Sequence, residues 1–478
     1  MKTRILGVIA VVMTLALAAC SGKKDYASVI PENASLVASV DLAQLLENCE
    51  LSEADYDKLK SEMGKVLKDG MDAKQTAVID RIMADPLESG VDFRKKAYLF
   101  AMPEAKEAGI LFAVSDKGKL DALMDVMDET LEEADGCRYM VPDGKSVLVY
   151  DDSALLLAAS SVKTSEALRQ EVLEWMSGKG ASYAATEEFG RLEAAEGEIA
   201  IVTSLDIMPQ QYKMMGAMGL PQGVELKDIK NLVSLCFEKG ELVADVEALY
   251  LADAVRNMAE SQKKLYGGKV SDKFLAKFPA DALLWTGFNM DGKELYTFLS
   301  SNPVIGPQLQ NGGMPVDFGK ILNAIDGEMA FGMWEEQGEP LFSFYAEVNN
   351  DDFLSELDAF KFLFDKQHIR FGIEDNVFCI TNSREEEPEK TLADAAWADE
   401  ADGRLAFGIM NIRSYATLMS VLSPGSAPVA TAMADAFDYV MMYSDGYDRS
   451  RLVLVMKDKD TNVLKQWIDL AKKMNGLN

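Results

Sequence analysis

Apolar and polar positions alternate early in the chain: Leu36, Ala38 and Val40 interleave with Val37, Ser39 and Asp41. That period of two, with both faces fairly apolar, predicts a strand. The rhythm then changes. Ser52-Glu53-Ala54-Asp55 resembles a capping box, and Tyr56, Leu59, Met63 and Leu67 after it fall on one face of a helix. "KKAYLFAMP" and "AGILFAVS" read as two strands joined over Pro103 to Glu107, and "LVSLCFEKGELVADVEAL" reads as a hairpin turning at Lys239-Gly240. Strand pairs with tight turns, interrupted by helices, predict an α+β protein with mostly antiparallel sheets and packed helices.

The pattern recurs in the second half. "IPENASLVASVDLAQLL" from Ile30 is answered by "FPADALLWTGFNMDGKEL" from Phe278, with Pro31 against Pro279, Val37 against Trp285 and Asp41 against Asn289. "FAVSDKGKLDAL" (Phe112–Leu123) answers "AEVNNDDFLSEL" (Ala346–Leu357), and "VLVYDDSALLLAASS" (Val147–Ser161) answers "IRFGIEDNVFCITNS" (Ile369–Ser383) without a gap. "EGEIAIVTSLDI" (Glu196–Ile207) answers "DGRLAFGIMNI" (Asp402–Ile412) with one residue fewer. Four blocks in one order, at a period far above the roughly 20–50 residues of solenoids, predict two tandem, divergent repeat domains. Their expected ranges are 28–265 and 275–478, with "KLYGGKVSDKF" (Lys264–Phe274) as the boundary.

The first residues carry an address. A basic start, Lys2 and Arg4, precedes an apolar run from Ile5 to Ala19 that is short of the roughly 20 residues a spanning helix needs. Leu17-Ala18-Ala19-Cys20 looks like a bacterial lipobox, in which cleavage between Ala19 and Cys20 frees the Cys20 thiol for the lipid. Residues 1–19 are thus expected to be a lipoprotein signal peptide and 20–27 a lipid-anchored tether. Two or three acyl chains anchor stably where one holds marginally. Ser21 beside the lipid resembles outer-membrane sorting, with the periplasmic or surface face left open.

Charge narrows the partners. The 478 residues hold 48 Lys and Arg against 78 Asp and Glu, a net charge of −30. Removing residues 1–19 takes away Lys2 and Arg4, so the mature chain is nearer −32. Such a field repels phosphate backbones, which argues against nucleic acid as a partner. Membrane contact is expected through the lipid on Cys20, with another envelope protein as a further candidate partner. Hydrophobic content of 48% suffices for real cores.

Catalytic constellations are hard to assemble from these residues. His368 is the single histidine, at the start of an expected strand, and serves triad chemistry poorly. Cys49, Cys137, Cys236 and Cys379 form no CxxC, and four thiols allow three pairings, all open; Cys236 and Cys379 lie in strand-like runs and read as small buried hydrophobes. Asp143-Gly144-Lys145-Ser146 lacks the phosphate-loop glycine, since Tyr139 stands there, and reads as a turn. Ser261 to Lys264 matches SxxK without its companion motifs. Asp151-Asp152, Asn349 to Asp352 and Asp445 to Asp448 read as acidic turns. Met208, Met214, Met215 and Met218 suggest an adaptable apolar helix or contact surface. No cofactor, metal or catalytic residue is assigned.

"IPENASLVASVDLAQLL", "ADPLESGVDFRKKAYLFAMP" (Ala84–Pro103) and "NAIDGEMAFGMW" (Asn323–Trp334) resemble a Bacteroidota family of lipoproteins classed only as a domain of unknown function. The resemblance covers essentially all of the mature chain and implies an envelope lipoprotein; it brings no catalytic residue. The expected function is a non-catalytic binding or scaffold protein on the cell envelope. A small-ligand or lipid carrier with a cleft between the repeats, or a carboxylate-dependent hydrolase, are the alternatives.

Overall fold

The computed structural model describes residues 25–474, except 69–70, 127–130, 208–219, 221–223, 303–304, 311–315, 337, 384–387, 424 and 426. The chain forms two compact units. The first takes residues up to Ile207, Lys230–Lys239 and those from Thr461; the second takes Met208–Ile229 and Gly240–Asp460. These are not the contiguous ranges 28–265 and 275–478. In the first unit Asn462 Nδ2 donates to the Phe237 carbonyl at 2.6 Å, and Trp467 meets the Phe237 ring edge-on, which holds the C-terminal segment there.

Among the described residues nine strands build the sheet of the first unit: β1 (Leu36–Val40), β2 (Ala97–Met102), β3 (Glu107–Ala113), β4 (Glu132–Ala134), β5 (Cys137–Asp143), β6 (Ser146–Tyr150), β7 (Ala154–Ser160), β8 (Ile199–Ser204) and β9 (Lys230–Phe237). They lie in the order β9-β8-β1-β2-β3-β7-β6-β5-β4, antiparallel throughout. The expected hairpin around Pro103 is β2–β3. One face, with Phe112, Leu148, Tyr150 and Leu155, packs on helices Ala73–Ala84 and Lys117–Val126 through Ile79, Ile82, Leu120 and Leu123. The helix expected after Ser52 spans Glu53–Lys68, and Ser52 Oγ accepts from the Asp55 N–H at 3.1 Å.

The opposite face of this sheet is apolar and covered. Register puts Phe100, Leu111, Leu156, Ala158, Val147 and Val149 on it, each at most 1% exposed. Helix Ser165–Ser177 lies over β5, β6 and β7. Thr164 caps its start, Gly178 ends it in the left-handed region at φ 63°, and Leu168, Val172 and Met176 recur every fourth residue as its buried stripe. Trp175 meets Phe100 edge-on at 5.9 Å, and the Arg169 guanidinium sits 5.0 Å above the Tyr139 ring. Just beyond this face the Glu107 side chain is 1% exposed, with Lys163 Nζ at 2.5 Å from its carboxylate. That ammonium is the partner that compensates the carboxylate.

Nine further strands form the sheet of the second unit: β10 (Glu241–Leu249), β11 (Leu284–Asp291), β12 (Ile325–Glu336), β13 (Glu339–Val348), β14 (Arg370–Glu374), β15 (Val377–Thr381), β16 (Ala406–Asn411), β17 (Phe437–Gly446) and β18 (Arg449–Met456). Their order is β10-β18-β17-β16-β11-β12-β13-β15-β14, again antiparallel. One face, with Met329, Phe344, Ala346, Phe378, Phe371 and Ile373, packs on Ala324, Phe353, Leu354 and Leu357. On the other, Trp285 is fully buried among Phe278 and Phe407. Gly332 is required there, because a Cβ would fall 2.4 Å from the Phe278 ring. Among the described residues no helix is long and apolar enough to cross a membrane.

Candidate functional site

The β14–β15 hairpin turns through Asp375 and Asn376, at φ 48° and 62°, the backbone of a two-residue turn that fixes register. Pairing then sets Ser343 and Tyr345 of β13, Val377, Cys379 and Thr381 of β15, and Arg370, Gly372 and Glu374 of β14 on one face. Side chains alternate with period two, so a slip of one residue would present Phe344, Phe378 and Ile373 instead. This face is the floor of a groove of about 790 Å³, walled by Lys277, Pro279 and Trp334.

Chain length explains why the groove is open. In the first unit 21 residues, including helix Ser165–Ser177, separate Ser160 at the end of β7 from Ser182, which bridges to Pro31. In the second unit only nine residues separate Thr381 from Thr391, which bridges to Pro279. That connection is too short to lay a helix of similar length over the sheet.

The floor is a fixed array of polar groups. Ser343 Oγ donates to Thr381 Oγ1 at 2.7 Å, which also accepts from the Ser383 N–H at 2.9 Å and donates to the Phe342 carbonyl at 2.9 Å. The Tyr345 ring stacks on Phe274 at 5.7 Å and takes Phe278 edge-on at 5.5 Å. Burial pushes the Tyr345 phenol up to about 12. Burial also raises the Cys379 thiol, against the opposing pull of Tyr345, Arg370 and Lys277. Burial thus favours the protonated form of both groups. Exposed Lys277 and Arg370 add positive charge in a strongly acidic chain, with exposed Glu374 on the same strand as Arg370. Hydroxyl oxygens, an aromatic wall and two cations suit a polar or anionic segment.

The residues singled out from sequence scatter away from this groove, with one exception. Ala19 and Cys20 lie outside the described residues, as do Met208, Met214, Met215 and Met218. Cys49, Cys137, Cys236 and Cys379 are not joined in disulfides. The reading of Cys236 and Cys379 as buried hydrophobes is corrected: both are half-buried, and Cys379 lines the groove. His368 is exposed, with φ 54°, two residues before β14. Asp143 accepts from Lys145 N and Ser146 Oγ in a turn between β5 and β6, and Asp151 likewise holds Ser153 and Ala154. Ser261 donates its hydroxyl to the Asn257 carbonyl of its own helix. Glu328 and Glu347 are the carboxylate pair nearest to acid–base chemistry: burial raises the first, while Lys273, opposing the effect of burial, lowers the second. Yet Glu328 is 4% exposed and accepts from Ser271 N and Oγ at 3.1 and 2.6 Å, a latch on the segment before β11.

Tyr345, Arg370 and Thr381 were not singled out from sequence. The signal for Arg370 and Thr381 was a pair of strands whose alternate positions read Arg-Gly-Glu and Val-Cys-Thr.

No curated protein matches the chain. Among solved structures, crystal form I of TP0453 is similar at 12% identity and a TM-score of 0.29, over 52% of this chain and 90% of that one. Crystal form III of TP0453 is similar at 10% identity and a TM-score of 0.21, over 76% and 94%. A family model, described as Domain of unknown function (DUF4836), matches residues 26–464, and the chain belongs to that family.

Proposed function

We propose that the chain is a non-catalytic binding protein of the Bacteroidota cell envelope, held on the outer membrane by lipid on Cys20, and that the groove of its second unit is the binding face. Cys20→Ser is expected to release it from the membrane fraction.

The reading includes descent of both units from one duplicated α+β domain. Support comes from strand order: β9-β8-β1-β2-β3-β7-β6 runs as β17-β16-β11-β12-β13-β15-β14 does. Val37, Phe100, Gly109 and Ala158 pair in a row across the first sheet, and Trp285, Gly332, Ser343 and Thr381 across the second. This register moves two of the sequence matches by one residue. Leu156, opposite Leu111, answers Cys379, opposite Tyr345; Ile199, opposite Val40, answers Ala406, opposite Phe288.

One observation carries the binding reading. Leu111, Val147, Val149, Leu156 and Ala158, buried beneath helix Ser165–Ser177, answer Tyr345, Arg370, Gly372, Cys379 and Thr381 in the groove. An apolar face shielded by the chain itself answers a polar one, over which the described residues lay no helix. A photo-crosslinking residue at Lys277 should therefore capture an adduct in native envelopes, and Cys379→Trp, which fills the groove, should abolish it. An adduct that survives Cys379→Trp would move the binding face elsewhere.

A further inference from the structure

We infer that β14 pairs antiparallel with β14 of a second copy of this chain, about a two-fold axis through Gly372. β14 ends its sheet: β15 is its only strand partner among the described residues. The two-residue turn makes Glu374 and Val377 a hydrogen-bonded pair, so by alternation Gly372 and Arg370 also point their backbone groups at β15. The N–H and C=O groups of Phe371 and Ile373 then point outward. Such an edge is a template for another strand, and neither Pro nor Lys blunts this one. On the duplication reading, the first unit has already filled the same edge: Leu148 and Tyr150 answer Phe371 and Ile373, and they lie opposite Met140 and Arg138 of β5.

The sequence Arg370-Phe371-Gly372-Ile373-Glu374 is complementary to itself read backwards. Centred on Gly372, antiparallel pairing sets Arg370 opposite Glu374 of the second copy, twice, as close non-hydrogen-bonded pairs. It sets Phe371 opposite Ile373, twice, and these are the residues whose backbone groups face outward. Backbone direction and side-chain charge thus agree on one register. Gly372, at the axis, has open space around its would-be Cβ. A β-branched or bulky residue there would crowd two chains about 4.5 Å apart.

Helix Lys361–Lys366 adds a second observation. Phe364 packs on Phe371 at 5.6 Å, so this helix abuts the edge strand. On it Phe362 is 81% and Leu363 52% exposed. A two-fold axis normal to the sheet keeps like faces on the same side, which brings both copies of this helix to one side of the joined sheet. The charge pattern and these apolar residues commit the edge to a second copy rather than to an unrelated strand. The inference stands on the edge and its sequence, and only the β5 precedent rests on the duplication.

Sedimentation equilibrium of the intact mature chain in mild detergent tests it. A reversible monomer–dimer equilibrium is expected. Arg370→Glu and Glu374→Arg, each placing like charges opposite twice, should weaken the dimer by about tenfold or more, and the double exchange should restore it to within about threefold. Gly372→Cys should give a disulfide-linked dimer on mild oxidation, with the wild-type chain as control for the native cysteines. A monomer at every concentration, a dimer indifferent to either single exchange, or a double exchange as weak as the singles would overturn the inference. Groove capture at Lys277 is read separately, so a failed groove and a failed dimer remain distinguishable.

Discussion

Lys163→Met is expected to destabilise the first unit by about 2–4 kcal/mol, with a matching fall in the urea midpoint. Glu107 has a side chain 1% exposed, and the Lys163 ammonium, 2.5 Å away, is what compensates its charge. Removing that ammonium leaves a carboxylate in the interior, and the penalty of an unpaired buried charge exceeds the worth of the pair. The lower part of the usual range applies because Lys163 is 34% exposed and already solvated in part. Glu171 also receives Lys163, but at 31% exposure it can return to water. Replacing both partners, Glu107→Leu with Lys163→Met, should recover most of the loss. A single variant as stable as the wild type would mean that water already reaches Glu107.

Gly90→Ala is expected to cost about 2–4 kcal/mol, and Gly64→Ala to gain up to about 1 kcal/mol. Gly90 adopts φ 85°, and a Cβ there would fall 2.3 Å from the Asp116 carbonyl oxygen and 2.6 Å from the Leu120 N–H nitrogen. Both are backbone atoms at the start of helix Lys117–Val126, so neither moves aside cheaply. Their crowding would reach the core through Leu120, which is fully buried. Gly64 sits inside helix Glu53–Lys68, where among the described residues a Cβ would meet the end of Lys68 at 3.9 Å. Thermal or urea unfolding of both variants separates backbone conformation from mere glycine content. Equal shifts would refute the steric assignment.

Local structure was legible where one period governed a run of residues. The β2–β3 hairpin follows from alternation and turn chemistry alone. The composition of the units was not legible. β10 and β18 pair across about two hundred residues, and nothing near Lys264–Phe274 records it. On the duplication reading, the match of Val147–Ser161 to Ile369–Ser383 also hid a slip of one residue. Apolar runs on both strands align equally well in either register, yet on that reading only one sets Cys379, opposite Tyr345, against Leu156, opposite Leu111. The groove escaped for a related reason. Arg370, Gly372 and Glu374 look like any solvated strand face, and only the short return from Thr381 to Thr391 tells that a helix as long as Ser165–Ser177 cannot cover them.

Acetylation of Lys277 in native envelopes, compared with the purified chain, tests the central claim most directly. Lys277 walls the groove and is exposed, as is Lys74 on a helix of the first unit. A bound partner should slow modification of Lys277 several-fold in envelopes while Lys74 reacts equally in both preparations. Equal reactivity of Lys277 in the two settings would contradict a binding face in the groove.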